Sequence, residues 1–257
     1  MAQITVLGAN GTKAHDRETT CFALNGTHLI DAGNLLKGMG EECANIDTIW
    51  LTHSHLDHIV DIAYVLDAYF EKRKRPLRIA GLTQTLLILK KHFLNELIWP
   101  DFSRIRLLNS EMYAVEYFPI EIGKRYVIGE NEHIEAFKTN HTVPSCGYVV
   151  TKMGRSIAIT SDTYISYSVW DLLNSRKDIN TLIIECSFHN ALEALAKESK
   201  HLTPKLLAME LEKLKRAIDI YVNHIKPNSE SIIIQELQAQ TATQKCLLLK
   251  DGDVIDF

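Results

Sequence analysis

The stretch THSHLDH, residues 52–58, decides how the rest of the chain is interpreted. It follows the strand-like run TIWLT and precedes a helical pattern, and within six residues it carries four possible metal ligands, His53, His55, Asp57 and His58. Alternate residues of extended backbone point to one side, so the first two histidines face one cavity, and the other two residues open the helix beside it. Imidazole and carboxylate suit zinc, manganese or iron, and the lack of cysteine argues against a closed structural zinc site. A polar loop that is merely rich in histidine is the alternative, and the buried strand before it argues against that.

One cluster cannot complete two metal shells, so further ligands have to come from distant segments. We expect them where apolar runs end, because a strand delivers a side chain to the edge of a sheet there. His141 follows IEAFKTN, Asp162 follows SIAITS, and His224 follows DIYVN. Each of the three alone could be a surface turn residue, whereas together, in this order after the cluster, they form a coherent ligand set.

The composition limits the classes of function. With 257 residues, 46% of them hydrophobic and 23% charged, the chain is typical of a folded globular protein with a sizeable core. The formal charge of −4 argues against a protein that grips nucleic acid by its phosphates, but it allows a small anionic substrate beside a metal pair. Five dispersed cysteines predict reduced thiols and a cytoplasmic location. No signal peptide or membrane-spanning run is visible, so no membrane partner is expected.

The hydrophobic pattern predicts two strand-rich blocks, each followed by helices. Two sheets packed together with helices outside would explain it, as one αββα domain over residues 1–257. Helices are predicted near 58–71, 83–98 and 204–217. In the second of these, Leu86, Leu89, Phe93 and Leu97 share an apolar face, and Pro100 follows as a stop signal.

The run Lys72-Arg-Lys-Arg75 is the single block of charge. A solvated helix end is the prediction for it, since cations favour the C-terminal end of the helix dipole. Contact with RNA is the alternative, for which one short run is little support.

The order HxHxDH, then His, then Asp, then His resembles the metallo-β-lactamase superfamily, and within it the class II cyclic-nucleotide phosphodiesterases. The resemblance extends to ITVLGANG (4–11), LIDAG (29–33), IWPDF (98–102), and ECSF (185–188) followed by KHLTP (200–204). It covers essentially the whole chain. It implies an α/β fold, the four-layer αββα sandwich of two mixed sheets with outer helices.

The resemblance also implies which residues bind two divalent metal ions, zinc first, with manganese or iron as alternatives. His53, His55 and His141 would hold the first ion, Asp57, His58 and His224 the second, and Asp162 would bridge both. Asp31 in LIDAG matches a structural aspartate that supports the ligand loops. Some relatives have glycine before the bridging aspartate and Gly-Pro after it, where this chain has Ser161 and Thr163-Tyr164.

Glu185 and His201 form a second candidate feature. His201 lies two residues before Thr203-Pro204, which is typical of a helix N-cap followed by proline, and this position suits an anionic phosphate. Glu185, at the end of a buried strand, could orient it. The resemblance places the corresponding pair beside the scissile phosphate. A loop histidine and an exposed strand-end glutamate are the alternative.

The expected reaction is hydrolysis of a 3′,5′-cyclic nucleotide, cAMP or cGMP, to a 5′-nucleotide by a hydroxide that bridges the two metals. Asp57 would accept a hydrogen bond from this hydroxide. His201, held by Glu185, would stabilise the phosphoryl oxygens or protonate the leaving O3′. Trp99 and Phe102 would flank the base, with a core position as the alternative for both.

Three rival functions use the same scaffold. A tRNA 3′-processing endonuclease would have the same ligands, but the long Gly/Pro-rich arm of that branch and a basic charge are missing. Hydrolysis of a thioester or lactam is less compatible with the Glu185 and His201 pair. A nucleotide-binding sensor could lose Asp57 or His201, and both are present. The expected partner is therefore a small cyclic nucleotide rather than nucleic acid, and a homodimer stays open.

Overall fold

A computed structural model of the protein describes residues 3–257, in which fourteen strands and seven α-helices form. The strands are β1 (Gln3–Gly8), β2 (Cys21–Ala23), β3 (His28–Ile30), β4 (Thr48–Trp50), β5 (Leu77–Leu82), β6 (Val115–Ile120), β7 (Arg125–Gly129), β8 (Glu132–Lys138), β9 (Cys146–Lys152), β10 (Arg155–Ile159), β11 (Ile179–Glu185), β12 (Asp219–Asn223), β13 (Leu247–Leu248) and β14 (Val254–Asp256). The helices are α1 (Leu36–Met39), α2 (Leu56–Ala68), α3 (Thr83–His92), α4 (Tyr167–Ser175), α5 (Glu193–Ser199), α6 (Pro204–Leu211) and α7 (Glu230–Ala239).

The strands form two seven-stranded sheets of similar design. The first has the order β14-β1-β2-β3-β4-β5-β6 and the second the order β13-β12-β11-β10-β9-β8-β7. In the first sheet the pairs from β14 to β3 are antiparallel and those from β3 to β6 are parallel. In the second, β7 to β10 are antiparallel and β10 to β13 are parallel. Parallel neighbours need a crossover, and the helices supply it, for example α2 between β4 and β5.

Three apolar clusters separate four layers. The central cluster joins the two sheets and contains Ile4 and Phe22 of the first sheet with Tyr148 and Ile157 of the second. A second cluster lies between the first sheet and helices α1 to α3, and a third between the second sheet and helices α4, α6 and α7. The predicted αββα sandwich of two mixed sheets with outer helices is therefore confirmed.

One hydrogen bond across the central cluster fixes the start of the histidine-rich loop. The hydroxyl group of Tyr148, on β9, donates to the carbonyl oxygen of Leu51 at 2.8 Å. Leu51 lies between β4 and His53, and Tyr148 is fully buried. The second sheet thus holds the backbone of a loop that belongs to the first sheet, so the two sheets cannot slide apart without moving this loop.

The helix predicted over 83–98 is shorter than expected, because α3 ends at His92. Beyond it, the side-chain oxygen of Asn95 accepts hydrogen bonds from the backbone nitrogens of Leu97 at 3.1 Å and Ile98 at 2.8 Å. Such local side-chain bonds offer the backbone an alternative to the helix. Leu97 is 88% exposed, so its predicted place on the apolar face beside Leu86 is wrong. The helix predicted over 204–217 likewise ends early, at Leu211.

The basic run after α2 differs from the prediction as well. Helix α2 ends at Ala68, so the run lies beyond the helix, and Arg73 is only 3% exposed. Its guanidinium group donates to the carbonyl oxygens of Cys43 at 3.2 Å and Ile46 at 2.7 Å. Lys72 is paired with Glu41. Arg73 therefore holds the end of the 3-10 turn Gly40–Asn45 in place. The predicted solvated helix end is wrong for this residue.

Within residues 3–257, no helix has the length and apolar character that a membrane span requires.

Candidate metal centre

Four strand ends and one loop bring the predicted ligand residues together. The histidine-rich stretch follows β4, and three further residues follow β8, β10 and β12. Their ligand atoms fall into two groups, in each of which all atoms lie within 4.8 Å of one another: His53, His55, His141 and Asp162, and Asp57, His58 and His224. The structure therefore brings together all seven residues that the sequence singled out.

In the first group, one carboxylate oxygen faces the imidazoles. Asp162 Oδ2 lies 3.6 Å from His53 Nε2 and 3.7 Å from His141 Nε2. His141 Nε2 lies 3.1 Å from His55 Nδ1. The lone pairs of these rings converge on one point beside the carboxylate.

In the second group, the other oxygen of the same carboxylate takes part. Asp162 Oδ1 lies 3.5 Å from His58 Nε2 and 3.2 Å from His224 Nε2. His224 Nε2 also lies 3.3 Å from Asp57 Oδ2. Asp162 thus presents one oxygen to each group, which is the arrangement of a carboxylate shared between two cations.

The donor set fits divalent metal ions. Ligand atoms around a tetrahedral zinc ion lie about 3.3 Å apart, and the contacts within the two groups are close to this value. His53 Nε2 and Asp162 Oδ1 are buried and have no hydrogen-bond partner among the described residues. Buried polar atoms are normally satisfied, so these two atoms indicate a ligand of another kind.

The electrostatics of the centre also favour a cation. Burial alone would raise the pKa of Asp162, but the imidazoles of His224 and His58 hold it well below its usual value. Burial lowers the pKa of His141 to about 4, so its ring is neutral and its lone pair is available at neutral pH. Burial would also lower the pKa of His58, yet the carboxylates of Asp162, Asp57 and Asp31 outweigh it and hold that pKa well above the usual value. Zinc binds deprotonated imidazole, so a bound cation would replace the proton that these carboxylates favour on His58.

Asp31 supports the ligand loop from behind. Its carboxylate accepts hydrogen bonds from the backbone nitrogen and the hydroxyl group of Thr52, both at 2.8 Å, and lies 2.7 Å from His58 Nδ1. A proton on His58 Nδ1 leaves Nε2 free to face Asp162. An outer carboxylate of this kind fixes both the tautomer and the orientation of a metal-facing histidine.

The backbone around the centre is strained at four places. Asp31, Ser161, Lys200 and His224 all have φ between 54° and 59°, the left-handed region that favours glycine. Ser161 takes the position where some relatives have glycine, and its hydroxyl group donates to Thr52 Oγ1 at 2.9 Å. Strained backbone persists where surrounding contacts over-determine it, as they do around an active site.

Two glycines allow close backbone approaches that sequence reasoning missed. A Cβ on Gly33 would lie 2.3 Å from the carbonyl oxygen of Asp57, and a Cβ on Gly11 would lie 2.5 Å from that of His224. Any larger side chain would push the ligand loops outwards. The available signal was that both glycines end segments of the family resemblance, ITVLGANG and LIDAG.

Glu185 and His201 lie directly beside both ligand groups. Glu185 is fully buried and His201 is 8% exposed, and Glu185 Oε1 lies 2.8 Å from His201 Nδ1. The alternative of an exposed strand-end glutamate is therefore wrong. Burial would lower the pKa of His201, but the Glu185 carboxylate outweighs it and raises that pKa. The backbone nitrogen of Thr163 also donates to Glu185 Oε1, at 2.9 Å, so the same carboxylate anchors the loop of Asp162.

The centre opens into a cleft of about 560 Å³ next to Asp57. Helix α2 forms an apolar wall with Leu56, Val60 and Tyr64, and Lys13 and Lys226 also line the cleft. These three wall residues are four positions apart, a spacing that puts them on one helix face. The sequence analysis missed this wall.

The two aromatic residues expected to flank a base take other positions. Phe102 is buried against Phe70 in the core, with ring centroids 5.9 Å apart. Trp99 packs edge-on against Tyr64 at 5.7 Å. The core alternative is therefore correct for Phe102, and the aromatic ring that lines the cleft is that of Tyr64.

Comparison with known proteins gives one family and two kinds of relative. The family model of the class-II cAMP phosphodiesterases matches residues 24–249. The chain is 24% identical over 225 residues to a 3′,5′-cyclic-nucleotide phosphodiesterase of Schizosaccharomyces pombe, covering 76% of this chain and 63% of that protein. It is 31% identical over 104 residues to a nuclear ribonuclease Z of Triticum aestivum, covering 40% of this chain and 54% of that protein. In both cases the match spans less than two thirds of the relative.

Among solved structures, the unliganded phosphodiesterase PDE1 of yeast has a similar fold. The TM-score is 0.79 at 18% identity, and all of both chains is covered. At this identity the likeness concerns the arrangement of sheets and helices alone.

Proposed function

The chain belongs to the family of class-II cAMP phosphodiesterases, and from this premise we propose that it hydrolyses 3′,5′-cyclic nucleotides to 5′-nucleotides with the help of two divalent metal ions. The observation that carries the proposal is the two-sided position of Asp162, with one oxygen towards each group of possible ligands, beside the buried pair of Glu185 and His201. A structural metal site would not need that pair.

In this proposal each group holds one ion, and zinc is the first candidate because imidazole and carboxylate ligands suit it. His53, His55 and His141 would hold one ion, and Asp57, His58 and His224 would hold the other. Asp162 would offer one oxygen to each. A bound metal pair supplies Lewis-acid activation of water and neutralises charge on the phosphodiester.

The side chains around the centre supply the proton transfers. Asp57 is the ligand that also lines the cleft, so its carboxylate can accept a hydrogen bond from the attacking water. His201 keeps its Nδ1 proton on Glu185, which leaves Nε2 as the atom that would protonate the departing O3′. An in-line displacement requires Asp57 and His201 to act on opposite sides of the phosphorus atom.

The cleft supports a mononucleotide as substrate. Its volume of about 560 Å³ is in the range of small-molecule sites, and its apolar wall suits a base. Lys13 and Lys226 suit a phosphate, and Asp61 lines the same cleft, 4.0 Å from Lys13. A tRNA needs many phosphate contacts, whereas the chain has a formal charge of −4. In its basic run, Arg73 is buried and Lys72 is paired. The ribonuclease Z relative nevertheless makes RNA processing the rival to exclude.

The deciding experiment uses one metal-loaded preparation with cAMP, cGMP, a linear phosphodiester and a precursor tRNA, each at low and moderate salt. We expect turnover of a cyclic nucleotide with weak salt dependence, because the substrate carries one charge. His201→Ala serves as the control for contaminating phosphodiesterase. Cleavage of the precursor tRNA at a defined 3′ site, with negligible hydrolysis of cyclic nucleotides, would move the protein to the processing nucleases. Nucleotide binding with no metal-dependent turnover would make it a sensor.

A matched pair of variants tests the position of the base. Tyr64 is 48% exposed and lines the cleft, and Tyr113 is 47% exposed in the loop before β6. Tyr64→Ala is expected to raise KM for the cyclic nucleotide about ten-fold or more, since stacking and apolar contact with a base contribute roughly 1–3 kcal/mol. Tyr113→Ala is expected to leave KM unchanged. Equal KM values for both variants would place the base elsewhere.

A further inference from the structure

The hydroxyl group of Ser187 lies at the meeting point of three functional side chains. Its Oγ is 2.6 Å from Glu185 Oε2, 2.9 Å from His224 Nδ1 and 3.1 Å from His201 Nδ1. Ser187 is fully buried, directly after β11, in the segment ECSF. A buried serine whose hydroxyl group has three partners at hydrogen-bond distance indicates a role for that hydroxyl group.

The chemistry of the partners assigns the protons. A carboxylate can only accept, so the hydroxyl proton of Ser187 goes to Glu185 Oε2, and its oxygen is left to accept. Within residues 3–257, Ser187 Oγ is the one hydrogen-bond partner of His224 Nδ1, which must therefore donate to it. His201 Nδ1 is closer to Glu185 Oε1, at 2.8 Å, and donates there.

This arrangement determines which nitrogen of His224 faces the ligand group. With the proton on Nδ1, the lone pair of Nε2 points to Asp57 and Asp162, at 3.3 Å and 3.2 Å. The backbone cannot hold the ring alone, because a half-turn about the Cβ–Cγ bond would put ring carbons where the two nitrogens lie. A metal-facing histidine is oriented by the acceptor on its other nitrogen.

We propose that Ser187 is a positioning residue that extends the Glu185 carboxylate to His224. One buried carboxylate then fixes two imidazoles: His201 directly, and His224 through the serine hydroxyl group. The inference rests on the proposed function, since it assigns His224 to a metal, and it goes beyond it by linking the proton donor to one particular metal group.

The test is Ser187→Ala with Ser156→Ala as matched control. Ser156 is also fully buried on the second sheet, in β10, and its hydroxyl group pairs with Thr151 and Asp178, away from the centre. Zinc affinity is measured for both sites by competition with a chromophoric chelator. Ser187→Ala is expected to weaken one of the two sites by about 10–100-fold and to leave the other unchanged. Ser156→Ala is expected to keep both affinities.

Two further measurements separate positioning from general destabilisation. In the metal-loaded protein, the nitrogen-15 NMR signal of the protonated Nδ1 of His224 is expected to disappear or broaden in Ser187→Ala, while that of His201 persists. If Ser187 acts through Glu185, the affinity losses of Glu185→Gln and Ser187→Ala are less than additive in the double variant.

The outcomes distinguish this inference from the function on which it rests. If the wild-type protein has two metal sites and folded Ser187→Ala binds metal at both with wild-type affinity, the proposed role of Ser187 is wrong. The proposed function is then unaffected. If Ser187→Ala and Ser156→Ala both lose metal affinity equally at the two sites, the effect is merely structural, and the proposed role of Ser187 is again wrong. Wild-type protein that binds no metal overturns both the inference and the proposed function.

Discussion

Asp162 is the residue through which the metal centre is most directly tested. Because its two oxygens face different ligand groups, Asp162→Ala should lower the occupancy of both sites and abolish turnover together. Metal content by mass spectrometry, measured on protein that still unfolds cooperatively, checks this expectation. Retention of two ions per chain in folded Asp162→Ala would contradict the bridging role.

His201 should behave in the opposite way. Its Nδ1 is engaged by Glu185, and the proposed role is proton transfer rather than metal binding. His201→Ala should keep two metals and lose about 10²–10⁴-fold in kcat, the usual contribution of a positioned acid. The geometry also allows a ligand role, since His201 lies within reach of Asp162 and His224. Loss of one metal from this variant would show that His201 is a ligand.

His28 provides a pH test away from the ligand groups. Its ring stacks on Trp50 at 6.1 Å, and its Nδ1 accepts the indole N–H of that residue at 3.1 Å, so it is held neutral. Burial lowers the pKa of His28 below its ordinary value, and Asp47 opposes this in part. On acidification the unfolded chain therefore takes up this proton first, at about pH 6.5, and stability falls with pH from there to the lower pKa of the folded state.

The measurement is an NMR titration of the His28 ring, with a midpoint expected below 6.5. In urea unfolding, His28→Gln keeps an acceptor for Trp50 but does not titrate. Wild type should lose stability relative to this variant as the pH falls below about 6.5. A midpoint at or above the ordinary value, or a constant difference between the two proteins, would contradict the assignment.

At the scale of single residues, the chemistry-bearing side chains were predictable, and so were two of their supports, Asp31 and Glu185, which lie in motifs of the family resemblance. His53 was recognisable because four possible ligands lie within six residues after a buried strand, and Asp162 because of its place in the order of ligands after that cluster. Ser187 is an ordinary residue until the fold brings His224 to it from 37 residues away. The same holds for Tyr64, whose exposure next to the centre depends on how α2 packs.

At the scale of elements, two leucines of one predicted helix, in α3 and in the loop after it, differ in burial. Leu89 is fully buried, and Leu97 is 88% exposed although it shares the predicted apolar face. Leu89→Ala should lower the free energy of unfolding by about 2–5 kcal/mol through a core cavity. Leu97→Ser should change it by less than about 0.5 kcal/mol. Denaturant unfolding of both variants checks this. Comparable losses of unfolding free energy in the two variants would favour the predicted longer helix, in which Leu97 is buried.

Helix type was thus easier to predict than helix length. The periodicity of α3 reflects burial as far as Leu89, and beyond His92 the side chain of Asn95 satisfies the backbone locally. Arg73 is a related case, because a basic run is normally solvated and only the carbonyl oxygens of a distant 3-10 turn explain its burial. Both features depend on hydrogen bonds that composition does not encode.

At the scale of the whole molecule, the αββα order followed from two strand-rich blocks and the metal-ligand order. The sequence did not predict that β14 returns to the first sheet or that the two sheets have the same design. Strand pairing between distant segments leaves no periodic signal. One domain stays a prediction, and the central cluster that both sheets share supports it. The prediction of a homodimer stays open to a measurement of mass in solution.

Metal binding should be coupled to the stability of the fold. Removal of metal leaves ionised carboxylates and imidazoles crowded around Asp162, while metal that binds only the folded state stabilises it by ~3–4 kcal/mol at ~100–1,000 times its dissociation constant. For a chain of this size the melting temperature should therefore fall by roughly 6–16 °C on exhaustive chelation and return on addition of zinc. Because both sheets share the central cluster, calorimetry should show one transition in either state. Asp162→Ala is the control, in which zinc should produce little shift. An unchanged melting curve and full activity after chelation would contradict the metal centre, whereas two separate transitions would contradict the single domain.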